Sequence, residues 1–147
     1  MIYTSYFGNV PKLLNSTPYL NPKQTTWAIY SIANSQPDWV KQYHFPVLRE
    51  LVPTWNLVSN YKAGLIDEHG YKTQYIYELA SLPEEKLRKV KELFFRYHNP
   101  NLHLILLCWE TPDKFCHRQI LPEFFPQFQI KEWGSLLPSR LRNVKGK

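Results

Sequence analysis

Between Leu104 and Phe125 the chain reads LILLCWETPDKFCHRQILPEFF, and the side chains best suited to chemistry crowd into its middle. Cys108, Glu110, Cys116, His117 and Arg118 bring two thiols, a carboxylate, an imidazole and a guanidinium close together in sequence. A thiol attacks only as thiolate, a form favoured by a neighbouring cation and by the start of a helix. Cys116, beside His117 and Arg118, is therefore the candidate nucleophile, with His117 or Glu110 to carry a proton. Arg118 and the N–H groups of a helix start would hold an anion. Each residue also has a plainer role. Cys116 could be an inert buried thiol, Glu110 a partner of Arg118, and His117 a helix-surface residue. Cys108 ends an apolar run and reads as core, and it is also a candidate ligand-binding residue.

Other chemistries are disfavoured. Cys108, Cys116 and His117, with Glu110 or His103 as a fourth, could be metal ligands. The paired C-x-x-C spacing is absent, however, and adjacent Cys and His seldom share an ion, so no metal is expected. A phosphatase cradle needs Arg six positions after Cys, and Cys108 is followed there by Lys114. There is no Walker loop and no G-x-G-x-x-G, and no cofactor is implied.

These residues need elements to position them. His103 to Cys108 reads as a buried strand, and the loop leading from such a strand to a helix is where α/β domains place ligands. Two starts are open for the following helix. It could begin at Thr111-Pro112, with Cys116 in its second turn, or near Cys116, which places Pro122 less deep inside; the second is preferred. Met1 to Val10 reads as a first strand turning at Gly8-Asn9, and Lys12 to Thr25 as an irregular connection. Thr26 to Ala33 reads as a second strand. The turn from Asn34 to Trp39 follows its end and is a candidate second wall of the same crevice. Trp39, Trp109 and Tyr6 are the candidate stacking surfaces.

A short helix is expected after Tyr43, then a break before Pro53, a helix over Thr54 to Lys62 and another over Tyr71 to Ala80. Ser81 and Glu84 have the spacing of a capping box. Leu87, Val90, Phe94 and Tyr97 then mark one apolar helix face. Phe128 to Trp133 is a possible last strand. Strands alternating with helices predict an α/β fold: a small, mostly parallel sheet flanked by helices, a Rossmann-like three-layer sandwich.

With 147 residues, 44% of them hydrophobic and 20% charged, the chain fits one ordered domain, expected over residues 1–139, with a basic tail over 140–147. The net charge of +6 suits an anionic partner. Two cysteines make no disulfide scaffold, and neither a signal peptide nor a membrane-length apolar stretch is visible, so a cytoplasmic protein with reduced thiols is expected.

Cys108-Trp109-Glu110, a short Pro-containing spacer and Cys116-His117-Arg118 resemble the C-x-E…C-H-R hallmark of the family called domain of unknown function 488. Ile2 to Phe7, Ser31-Ile32 with Pro37-Asp38-Trp39, and Lys131-Glu132-Trp133 are similar to one branch of it, so the likeness runs from Met1 to about Trp133. Many members carry Asp-Val-Arg after the second strand, where this chain has Tyr30-Ser31-Ile32-Ala33. No role of that acid and arginine transfers. The resemblance implies an α/β sandwich with a pocket near the C-H-R segment, and no reaction.

Three functions stay open. The first is binding of a small anionic, nucleotide-like ligand, with or without chemistry at Cys116. The second is a nucleic-acid-binding module using the basic, aromatic surface, and the third a protein-interaction module. Oligomeric state is not legible.

Overall fold

A computed structural model describes residues 1–15, 26–111 and 113–133; the basic tail at 140–147 lies outside the described residues. Among the described residues four strands form one sheet in the order β2-β3-β1-β4, with β1 at Ile2–Tyr6, β2 at Thr26–Ser31, β3 at Leu102–Cys108 and β4 at Lys131–Glu132. Every pairing between these strands is parallel. Among the described residues the α-helices are α1 at Val10–Leu14, α2 at Trp55–Lys62, α3 at Glu68–Ala80, α4 at Glu84–Tyr97 and α5 at Leu121–Phe124. The result is a small α/β three-layer fold, as the alternation of strand and helix signals implies.

β3 is central because its sequence allows nothing else. Residues Leu104 to Cys108 are apolar at every position and buried on both faces, as a strand covered by helices must be. Its register sets Tyr6 of β1 opposite Cys108, and Ser31 of β2 opposite Leu107. All three strands therefore end at one level, where the loops bearing the candidate chemistry emerge. β4 is only two residues long and adds to the outer edge of β1.

α4 buries Val90 and Phe94, with Leu87 and Tyr97 half-buried at its margins, so the apolar face lies where the spacing puts it. Phe94 meets Phe125 and Phe128 edge-on, with ring centres 5.2 and 5.3 Å away, an arrangement that aromatic quadrupoles favour. The capping box is not formed. Ser81 already closes α3, donating its N–H to Tyr77 and Leu79, and the turn is so tight that Pro83 becomes the N-cap of α4 without a side-chain bond.

α3 begins at Glu68 instead of Tyr71. Asp67 caps it by accepting the Gly70 N–H at 2.8 Å, so the glycine that suggested a loop sits in the first turn. The segment after Tyr43 is not an α-helix. Two 3-10 turns, Lys41–Tyr43 and Arg49–Leu51, flank a stretch that bridges the edge of β2. There Ser31 donates to Pro46 O at 2.8 Å and Leu48 donates to Ser31 O at 2.9 Å. The free edge of β2 supplied an alternative that local helix propensity did not foresee. α2 matches expectation, with Thr54 as its N-cap.

No helix among the described residues is long and apolar enough to cross a membrane.

Candidate functional site

β3 delivers Cys108 to the end of the sheet, and Trp109 and Glu110 turn outward from it. The loop that follows folds back so that the Cys108 and Cys116 sulfurs are brought together as a pair able to form a disulfide, with Cα atoms 7.7 Å apart. The sequence alone reads as two separate thiols, one core and one reactive. They are one pair, because the eight-residue separation is a single excursion of chain out from β3 and back.

Cys116 is extended (φ −151°, ψ 151°), and the chain then enters a 3-10 turn over His117–Gln119. This start lies where the second reading put it, but a single 3-10 turn and the four-residue α5 replace a full helix. Pro122 is accommodated in the first turn of α5, where its missing N–H costs nothing.

His117 is buried instead of lying on a helix surface. Its Nε2 stands 2.6 Å from Ile32 O. A carbonyl only accepts, so Nε2 carries the hydrogen and Nδ1 keeps its lone pair. Nδ1 faces Cys116 Sγ at 3.5 Å. Burial pushes the His117 pKa down to about 4; the Ile32 hydrogen bond opposes this and the Arg118 charge adds to it. The imidazole is neutral at pH 7.

Arg118 points into the protein and does not line the cavity described below. It is fully buried, its Nε donating to Glu132 Oε1 at 3.0 Å and its second terminal nitrogen to Oε2 at 3.3 Å. The first terminal nitrogen donates to Cys108 Sγ at 2.9 Å and to Glu110 O. Tyr6 lies under the guanidinium, 5.9 Å from ring centre to Cζ, so its aromatic face serves Arg118. The arginine thus ties β4, β1 and the end of β3 together from inside. A guanidinium this buried, held by internal acceptors and absent from the cavity lining, is not placed to meet a phosphate there.

A cavity of about 360 Å³ opens at the carboxyl ends of β2 and β3. Ala33, Asn34 and Ser35, from the turn after β2, form one wall; Cys108, Trp109, Glu110, Phe115, Cys116 and His117 form another. Of the residues singled out from sequence, Cys108, Trp109, Glu110, Cys116 and His117 line it, whereas Tyr6, Trp39 and Arg118 do not. Trp39 stands exposed on the Pro37-to-Val40 turn. Trp109 is held by its indole N–H, which donates to Ser35 O at 2.8 Å, and by an edge contact with Phe7.

The remaining wall escaped sequence reasoning. Trp55, Val58, Tyr61 and Lys62 of α2 line the cavity together with Tyr71 of α3. Spacings of three and four along α2 put these side chains on one helical face, a signal that was available. Trp55 is 64% exposed and Trp109 48%, large apolar surfaces for a cavity mouth. Deeper in, the Phe115 and Tyr71 rings meet at right angles, 5.3 Å apart.

The family model described as the active DUF488-N3 subclade matches residues 17–129. The chain belongs to the DUF488 family. No curated protein and no solved structure matches it. The matched stretch of this DUF488 chain contains β2, α2 to α4, β3 and every residue that lines the cavity, while Tyr6 and Glu132 fall outside it.

Proposed function

We propose that this DUF488 protein binds a small, flat, anionic ligand of nucleotide type in the cavity at the ends of β2 and β3, with cysteine-dependent chemistry at its wall. The observation that carries this reading is that Trp55, Trp109, Tyr61 and Phe115 surround a cavity that also holds Cys116, His117 and Glu110. Aromatic faces stack on a planar ring with little regard to its substituents, so a heterocycle suits them. The volume is at the lower end for small-molecule sites, which run from about 300 to 1,000 Å³, and so fits one nucleotide unit better than a chain of them. Among the described lining residues Lys62 is the cation, placed to meet an anionic group at the rim. The description of the matched subclade as active accords with a functional site.

Titration of the full chain with nucleoside monophosphates, followed by tryptophan fluorescence, tests this. Saturable quenching that weakens in Lys62→Ala and Trp109→Ala is expected. Cys116→Ser should retain binding and lose any turnover of the bound compound. Absence of mononucleotide binding, alongside oligonucleotide affinity that falls steeply with salt, would replace the reading with a nucleic-acid module.

A further inference from the structure

Cys108 Sγ, Cys116 Sγ and a ring nitrogen of His117 all lie within 4.8 Å of one another. All three residues are buried, and all three stand in the cavity wall. Two soft sulfurs and an imidazole are the donor set that a zinc-class ion selects.

The surroundings supply what such a site requires. Nε2–H of His117 is committed to Ile32 O, which fixes the ring and leaves Nδ1 with its lone pair towards Cys116. A ligating histidine is oriented in this way, by a carbonyl on its far nitrogen. Arg118 donates to Cys108 Sγ at 2.9 Å, which favours the thiolate, and its own charge is matched by Glu132. Two thiolates then balance a divalent cation, and the buried cluster carries no net charge that would have to be desolvated unpaired.

Backbone spacing points the same way. The Cα atoms of the two cysteines are 7.7 Å apart. A disulfide accommodates about 4.4–6.8 Å without moving the backbone. Thiolates each ~2.3 Å from one ion stand roughly 3.8 Å from each other, and so suit a wider pair. The neighbouring positions of Cys116 and His117, which argued against a metal in the sequence, are no obstacle. Extended backbone at Cys116 followed by a turn at His117 brings sulfur and nitrogen to 3.5 Å.

We propose that in the reduced protein Cys108, Cys116 and His117 bind a zinc-class divalent cation, with the fourth position open to the cavity. A site with three protein ligands leaves room for water or for a ligand oxygen or nitrogen. The inference deepens the cysteine-dependent part of the function proposed above, and rests on that reading only for what takes the fourth position. Disulfide and ion are alternative occupants of the same pair. An external dithiol supplies two electrons and two protons to open the disulfide; the ion then displaces the two thiol protons as the sulfurs bind it.

The test uses the full chain, reduced, stripped with a chelator and titrated with Co²⁺. One equivalent should bind per chain, with thiolate-to-cobalt charge transfer in the near ultraviolet and the visible bands of a four-coordinate ion. Zn²⁺ should then displace it. Cys108→Ser and Cys116→Ser should each lower affinity by about a hundredfold or more, since even the groups that merely orient ligands are worth ~10- to 100-fold. Because a serine variant could misfold, the wild-type protein is also titrated after oxidation, when uptake should vanish. Reduced wild-type protein that shows no charge-transfer band, or oxidised protein that takes up as much cobalt, overturns the proposal. Adding a nucleoside monophosphate to each form separates the two ideas. Cobalt without nucleotide binding removes the ligand reading and keeps the ion site, and the converse keeps only the ligand.

Discussion

Replacing Arg118 with Met keeps an unbranched side chain of similar bulk while removing the charge and its donors. If Arg118 is the internal tie that the structure shows, Arg118→Met should damage stability. Two hydrogen bonds to Glu132 disappear, along with those to Cys108 Sγ and Glu110 O. Removing one partner of a buried ion pair costs about 3–5 kcal/mol, chiefly through the charge left behind. Glu132 is 27% exposed and still accepts from Thr4 Oγ1 at 3.0 Å, so its carboxylate is not stranded. The lower end of the range, about 3 kcal/mol, is therefore expected. With a urea m-value of about 2 kcal/mol per molar, the unfolding midpoint should fall by ~1.5 M. Adding Glu132→Gln should recover part of the loss, giving a coupling of about 1–3 kcal/mol in the double-mutant cycle. The assay is urea unfolding followed by far-ultraviolet circular dichroism, under reducing, metal-free conditions. A midpoint within about 0.25 M of wild type, equivalent to ~0.5 kcal/mol, would refute the structural role and return Arg118 to the ligand site.

Three further outcomes are expected. The pKa of His117 falls from 6.5 to about 4 on folding. Between those values the unfolded chain takes a proton that the folded one refuses, so stability is full above pH 6.5 and declines by about 3 kcal/mol as pH drops towards 4. In chelator, His117→Gln should therefore lose less midpoint than wild type between pH 7 and pH 4.5; equal losses would show that His117 is not buried neutral. Tyr75→Phe removes the hydrogen bond that its hydroxyl donates to Leu51 O at 2.7 Å. Leaving that carbonyl unpaired should cost about 1–2 kcal/mol in urea unfolding, and no measurable loss would mean that water reaches it. Leu106→Ala, at the fully buried centre of β3, should cost about 2–5 kcal/mol through lost burial and a cavity. A change below 1 kcal/mol would contradict the central placement of that strand.

The fold was legible wherever one pattern dominated its neighbourhood. β3 is apolar at each of its last five positions, and α4 repeats its apolar residues at helical spacing, so no other element competes for either stretch. Legibility failed where tertiary partners decided among local options. Residues 41–51 carry a proline and mixed polarity that fit a short helix, yet the open edge of β2 captured them through Pro46 and Leu48. Ser81 carries two compatible signals, helix stop and capping box, and only the closeness of α3 to α4 selects the first.

The candidate site divides along the same line. Cys108, Glu110, Cys116 and His117 are near neighbours in sequence and remain together in space, since a single loop carries them back to the end of β3. The direction in which each one points depends on distant partners. His117 faces inward because Ile32 O, 85 residues away in sequence, takes its Nε2–H. Arg118 faces inward because β4 brings Glu132 across β1 to meet it. A guanidinium next to Cys and His in sequence looks like an anion hook until that carboxylate is placed. Once it is placed, Lys62 is the cation among the described residues that line the cavity, and the arginine becomes an internal donor to Cys108 Sγ. That reassignment leaves the two sulfurs and His117 Nδ1, rather than the arginine, as the reactive groups in the cavity wall on which the proposed chemistry rests. A metal assay on the reduced protein is consequently a sharper probe of it than a screen of phosphate ligands.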